Sequence, residues 1–182
     1  YKIGDWVFIG KTNANGSVFI ELLPKIYKFA MTHAGRKKYK YQDITTDTQV
    51  LFQTIGVMVF SRDSTGIGIP GAKVSCYKKT WESIGTTDIN GLTALELLPA
   101  KYNFKMEYAG SVNIKYQDIA IDPVVIFTTN LVEIKLINST GEGIEGGTAY
   151  YKNRVWQKIG ATDASGTAAV ELLPGKYSFL ME

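Results

Sequence analysis

Few residues in this 182-residue chain belong to types that perform chemistry, and their spacing matches no reaction centre. His33 is the single histidine and Cys76 the single cysteine. Nucleophilic catalysis needs such a group beside a base and oxyanion donors, and no motif here supplies them. The run GIGIPG at Gly66–Gly71 follows a strand pattern and leads into another strand, whereas a phosphate cradle opens a helix. TDING carries Asp88 and Asn90, TDASG carries Asp163, and the matching TNANG carries Asn13. Calcium takes six or more oxygens, usually several carboxylates, so one acid per turn is too few. No catalytic residue, metal or cofactor is expected, and the chain reads as a non-enzyme.

Aromatic residues are the stronger candidates. Trp6, Trp81 and Trp156 each follow a short polar turn, with Tyr1, Tyr77, Tyr150 and Tyr151 close by in sequence. An exposed Trp–Tyr face can stack on a sugar ring or take a protein contact. Trp6, Trp81, Trp156, Tyr77 and Tyr150 therefore form the candidate interaction surface. The structural alternative is a tryptophan that caps a sheet edge or fills a contact between neighbouring units. RKKYKY at Arg36–Tyr41 interleaves cations with aromatics, as a polyanion site would. Its counterpart SVNIKY at Ser111–Tyr116 keeps one of those cations, which suits an edge strand guarded by lysines. The net charge of +3 is mild, and no nucleic-acid partner is expected.

The residues that matter recur at one interval. ELLPKIYKF begins at Glu21, ELLPAKYNF at Glu96 and ELLPGKYSF at Glu171, each 75 positions after the last. Residues 130–182 overlay residues 55–107 without a gap, and 23 of the 53 positions are identical. Self-similarity at a fixed period marks a tandem array. The expected division is 1–54, the C-terminal part of a first repeat; 55–129, a complete repeat; and 130–182, the N-terminal part of a third. The composition, 45% hydrophobic with 20% charged, is that of a folded chain. No apolar run is long enough for a membrane helix.

Each period reads as strands. Tyr102, Phe104 and Met106 alternate with Lys101, Asn103, Lys105 and Glu107, so one face is buried and one wet. Thr93, Leu95 and Leu97 form an inward set, matched by Val18, Ile20, Leu22 and by Ala168, Val170, Leu172. Glu96, Glu21 and Glu171 fall on the opposite, outward face. Asx–Gly turns and Pro24, Pro99 and Pro174 punctuate the strands. The spacing predicts strands over Val57–Arg62, Ala72–Lys78, Trp81–Thr86, Leu92–Leu97, Tyr102–Tyr108, Val112–Ile121 and Val124–Thr128. The expected fold class is all-β: tandem, small, seven-strand antiparallel β-sandwiches with a 75-residue repeat.

The run from Gly71 to Gly110 follows G-A-x-V, then G-T-T-D-x-x-G, then L-P-x-x-Y-x-F. It resembles the transthyretin-like (prealbumin-like) sandwiches of carboxypeptidase regulatory-like and collagen-adhesin B-type domains. The resemblance implies spacer, stalk or attachment modules on bacterial surface and secreted proteins. Adhesin relatives often carry a Lys–Asn isopeptide bond promoted by a buried acid. This chain departs from that pattern: Lys135 stands where the central copy has Phe60, and PVVIFTT lacks asparagine. The departure leaves plain hydrogen-bonded sandwiches as the expectation.

The expected role is a structural repeat array of a secreted or cell-surface protein, acting as stalk, adhesin shaft or extracellular filament subunit. Its partners would be neighbouring repeats and other copies of itself. The rival is an array of carbohydrate-binding modules using the surface Trp and Tyr residues on a polysaccharide. Tyr1 and Glu182 both fall in mid-strand, so the chain reads as a window of a longer protein. If 1–182 were a whole subunit, strand donation between subunits would complete both partial repeats.

Overall fold

The computed structural model describes residues 1–182 and is all-β; no helix is long and apolar enough to cross a membrane. The N-terminal region holds β1 (Lys2–Ile3), β2 (Asp5–Trp6), β3 (Ile26–His33) and β4 (Arg36–Asp43), in one sheet of order β2-β1-β3-β4. The central region holds β5 (Ile55–Arg62), β6 (Lys73–Tyr77), β7 (Trp81–Thr86), β8 (Leu92–Leu97), β9 (Lys101–Tyr108), β10 (Ser111–Asp118) and β11 (Val124–Thr128). These make two sheets, β10-β9-β6-β7 and β11-β5-β8. The C-terminal region holds β12 (Asn130–Lys135), β13 (Thr148–Lys152), β14 (Trp156–Ala161), β15 (Thr167–Leu172) and β16 (Ser178–Met181), paired as β12-β15 and β14-β13-β16.

Period-two patterning builds the central core. Val57 and Val59 on β5 and Val125 and Phe127 on β11 point inward from one sheet. Val74 and Cys76 on β6 and Tyr102, Phe104 and Met106 on β9 meet them from the other. The resulting cluster has 13 buried residues, and Leu173 is its single member from outside the central region. That region therefore makes its core almost entirely from its own residues. β9 begins at Lys101, 75 positions after β3 begins at Ile26.

One pairing differs from the antiparallel expectation: β11 runs parallel to β5. Parallel neighbours need a long connection. Here the first and last strands of the region pair, and the five strands between them provide it.

A second difference lies at Val18, Ile20 and Leu22, expected as an inward-facing strand. Residues 7–25 contain no strand, and Phe19 is 85% exposed. In the central region β8 is held by β5, and the N-terminal region contains no counterpart of β5. An alternating segment without a hydrogen-bonding partner does not become a strand. Val18, Ile20, Phe29 and Phe52 instead line an apolar cleft of about 980 Å³.

The shared L-P-x-x-Y phrase has a structural explanation. Tyr102 Oη donates to the Leu98 carbonyl at 3.0 Å, Tyr27 to Leu23 at 3.0 Å, and Tyr177 to Leu173 at 2.7 Å. Each bond spans a proline corner and satisfies a hydroxyl that burial would otherwise leave unpaired. A second buried tie uses Thr87, whose Oγ1 donates to the Ile69 carbonyl (2.8 Å) and accepts the Ala72 N–H (3.0 Å). Thr162 repeats it on Ile144 and Gly147. Thr87→Val keeps the shape but strands two backbone groups, and should cost about 1–3 kcal/mol in urea unfolding. An unchanged midpoint would mean the hydroxyl is not holding that loop.

Candidate functional site

The three tryptophans sit at equivalent strand positions because a polar turn precedes each and cross-strand pairing then fixes its neighbour. Trp6 pairs with Lys2, Trp81 with Tyr77 and Trp156 with Lys152. They are 42%, 38% and 46% exposed, so each ring offers surface while resting on its sheet. Every tryptophan carries a lysine ammonium over its ring: Lys37 on Trp6 at 5.7 Å, Lys105 on Trp81 at 5.3 Å and Lys152 on Trp156 at 5.6 Å. Such contacts hold the ring and the charge together at the surface. All of these partners come from the tryptophan's own region.

The candidate tyrosines behave differently from one another. Tyr77 meets Trp81 edge-on, with centroids 5.5 Å apart. Tyr150 is half-buried on β13 and pairs with Lys158 and Leu180. The residue over Trp156 is Lys152. The sequence pattern missed a larger aromatic face on the N-terminal sheet. Trp6 lies 5.5 Å from Tyr39, and Lys28 sits over both Tyr39 (4.8 Å) and Tyr41 (5.2 Å). Both tyrosines belong to RKKYKY, which the structure places as β4 at the sheet edge.

The acidic turn residues are occupied locally. Asp88 Oδ1 accepts the N–H groups of Asn90 and Leu92, both at 2.9 Å. Asp163 Oδ1 accepts from Ser165 and Thr167 in the same way, and Asn13 Oδ1 from Asn15 and Ser17. The Ser165 hydroxyl holds the Asp163 carboxyl below its usual range. This is turn chemistry, and it explains why Asn can replace Asp at the same place.

Cys76 is fully buried, and desolvation pushes its thiol up to about 11. A thiol with so little thiolate at neutral pH is a poor nucleophile. Burial likewise raises Tyr102 to about 12. Both folded-state values lie above those of the unfolded chain, near 8.5 and 10, so the folded state favours the neutral forms. Their contribution is complete below pH ~8.5 and disappears as pH rises through about 11 and then 12. Unfolding free energy should therefore be level near neutrality and fall between pH ~9 and 12. A Cys76→Ser, Tyr102→Phe chain should lose much of that slope.

His33 and Glu171 are not free surface groups. His33 Nε2 lies 3.3 Å from the Glu96 carbonyl, in the next region. Glu171 was expected to face solvent; instead its carboxylate accepts from the Ser64 N–H, the Ser64 hydroxyl and the Thr129 hydroxyl. Lys135 is 60% exposed and pairs with Glu133 at 3.8 Å, at the surface and outside any core.

No protein-family model and no curated protein matches this chain. Solved structures similar to it include two that it covers in part. One is the Bacillus anthracis TIE protein, at 15% identity and TM-score 0.34, covering 88% of this chain and 35% of that one. The other is the streptococcal ancillary pilin, at 12% identity and TM-score 0.32, covering 90% of this chain and 70% of that one. The chain thus spans about a third of the length of the first.

Proposed function

We propose that the chain is a run of tandem transthyretin-like β-sandwich modules, divided at 1–54, 55–129 and 130–182, in a secreted or cell-surface protein. Their task is mechanical: a stalk, an adhesin shaft or a filament subunit whose partners are neighbouring modules and further copies. The observation that carries this reading is the central core, 12 of whose 13 residues come from the region itself. A module that closes its own core can be copied in series to add length. No chemistry is asked of its side chains. The acids tie turns, the thiol is packed away, and the one histidine braces a neighbour.

Negative-stain microscopy of the native material tests the proposal. Rods or filaments are the expected result, and compact isolated particles would remove it. The exposed Trp81–Tyr77 pair favours one rival, a carbohydrate-binding array that gains avidity from repetition. Titration of soluble glycans separates the two. Binding that vanishes in Trp81→Ala would establish the rival, and no binding would eliminate it.

A further inference from the structure

Two hairpin tips in this chain, 75 residues apart, are built alike and seated alike. The β3–β4 turn is Ala34–Gly35 and the β9–β10 turn is Ala109–Gly110. All four residues have left-handed backbone, with φ of 47° and 70° in the first turn and 49° and 69° in the second. A two-residue hairpin turn of type I′ requires that conformation at both positions. Glycine adopts it freely, but alanine does so under strain. Asparagine would relieve the strain at the cost of a larger side chain, so smallness at the tip needs another cause.

Packing supplies it. Ala34 lies against the core cluster of the central region. A Cβ on Gly35 would fall 1.8 Å from the Lys78 carbonyl oxygen, so backbone meets backbone there. Around the tip, Arg36 Nη2 donates to the Lys101 carbonyl at 2.8 Å and its guanidinium lies 5.1 Å from the Tyr102 ring centroid. His33 reaches the Glu96 carbonyl.

The second tip repeats the arrangement on the C-terminal region. The Ala109 carbonyl accepts from Tyr151 Oη at 3.2 Å, and a Cβ on Gly110 would fall 2.5 Å from Gln157 Nε2. Ser111 Oγ accepts from Asn153 Nδ2 at 3.3 Å, and Ser111 is buried. Asn153 is the 75-residue counterpart of Lys78, and Tyr151 that of Cys76. The same place on each recipient receives the same place on each donor. Glu171 adds a second clasp at this junction, holding Ser64 and Thr129.

We propose that each module end is a socket that recognises the alanine–glycine hairpin tip of the preceding module, and that this contact holds consecutive modules at one fixed angle. The inference rests on the modular reading above. Recognition is largely by shape and main chain. In the first junction the accepting groups are the carbonyls of Glu96 and Lys101, with the Lys78 carbonyl packed against Gly35, and in the second the tip contributes its own carbonyl. The contact therefore tolerates Arg36 becoming Ser111 and Lys78 becoming Asn153, while the small residue and the glycine stay.

The full chain contains its own reporter. Cys76, the only cysteine, occupies the socket position at which Tyr151 meets Ala109 in the other junction. Labelling of Cys76 by an uncharged maleimide, together with small-angle scattering, tests the joint. Gly35→Ala forces a Cβ into the Lys78 carbonyl. Arg36→Ala leaves the turn intact and removes a charge-assisted bond. Gly71→Ala, at φ 77° with open space around it, controls for backbone strain alone. The native chain and Gly71→Ala should label slowly and scatter as one extended shape. Gly35→Ala and Arg36→Ala should label roughly ten- to a hundredfold faster, with a broadened distribution of dimensions. Native labelling and scattering in both folded variants would overturn the proposal. A lost joint with rods still seen by microscopy would leave the stalk reading intact; a sound joint in compact particles would remove the stalk reading alone.

Discussion

Phe104→Ala is expected to cost about 3–5 kcal/mol, enough to unfold the central region of an ordinary domain at moderate temperature. Phe104 is fully buried, lies 6.3 Å from the Tyr102 ring, and faces β5 and β11 across the core. Removing the ring leaves a cavity between two sheets that cannot collapse fully. The same substitution at the matching positions should cost less. Phe29 is 7% exposed but lines the open cleft, where water can enter the space it leaves, so about 2 kcal/mol is expected. Phe179 is 43% exposed, and its loss should cost about 1 kcal/mol or less. Each region holds one tryptophan, so fluorescence-detected urea unfolding can follow all three variants. Equal costs would show that burial does not differ among the regions as described.

Gly91→Ala should be the next most damaging change, at about 2–4 kcal/mol. Gly91 has φ 72°, and an added Cβ would lie 2.3 Å from the Ser61 carbonyl oxygen and 2.7 Å from the Ile69 nitrogen. The turn after Asp88 is pressed into the neighbouring loop, so both backbone strain and overlap oppose the methyl. Gly166→Ala meets the Leu136 carbonyl oxygen at 2.2 Å and should behave alike. Gly16 occupies the same turn in the N-terminal region at φ 73°, with nothing within 4 Å. Gly16→Ala should therefore cost only the backbone term, about 1 kcal/mol. The three glycines look identical in sequence, and the contrast between them isolates the close approach.

Much of the strand structure was legible because alternation and turn residues are local signals. β7, β8 and β11 occupy the spans that the pattern predicts, Trp81–Thr86, Leu92–Leu97 and Val124–Thr128. Direction and partnership were not legible. Period-two alternation in Val124–Thr128 says that a strand forms there, but not that it lies parallel to β5. Likewise, Val18–Leu22 alternates well yet has no partner to pair with.

The functional contacts were hidden for the same reason. The period showed that Tyr102 and Tyr177 are equivalent, but the bond from each hydroxyl to the carbonyl four residues back requires the folded corner. Nothing near Ala34–Gly35 or Ala109–Gly110 in sequence names Lys78 or Tyr151 as what those turns touch. Glu171 looked outward by parity, which is correct for its own strand. Its partners, Ser64 and Thr129, are 107 and 42 residues away. The aromatic candidates were found through their own repetition, whereas Tyr39 and Tyr41 were concealed inside a run whose charge drew attention first.

Stretching the chain between its ends tests the serial architecture most directly. If modules close their own cores and hold one another only at tips and clasps, force should release residues 55–129 in a discrete step. That step should add about 250 Å, at roughly 3.4 Å per residue. A single event releasing all 182 residues, roughly 600 Å at once, would mean one shared core and would contradict the account.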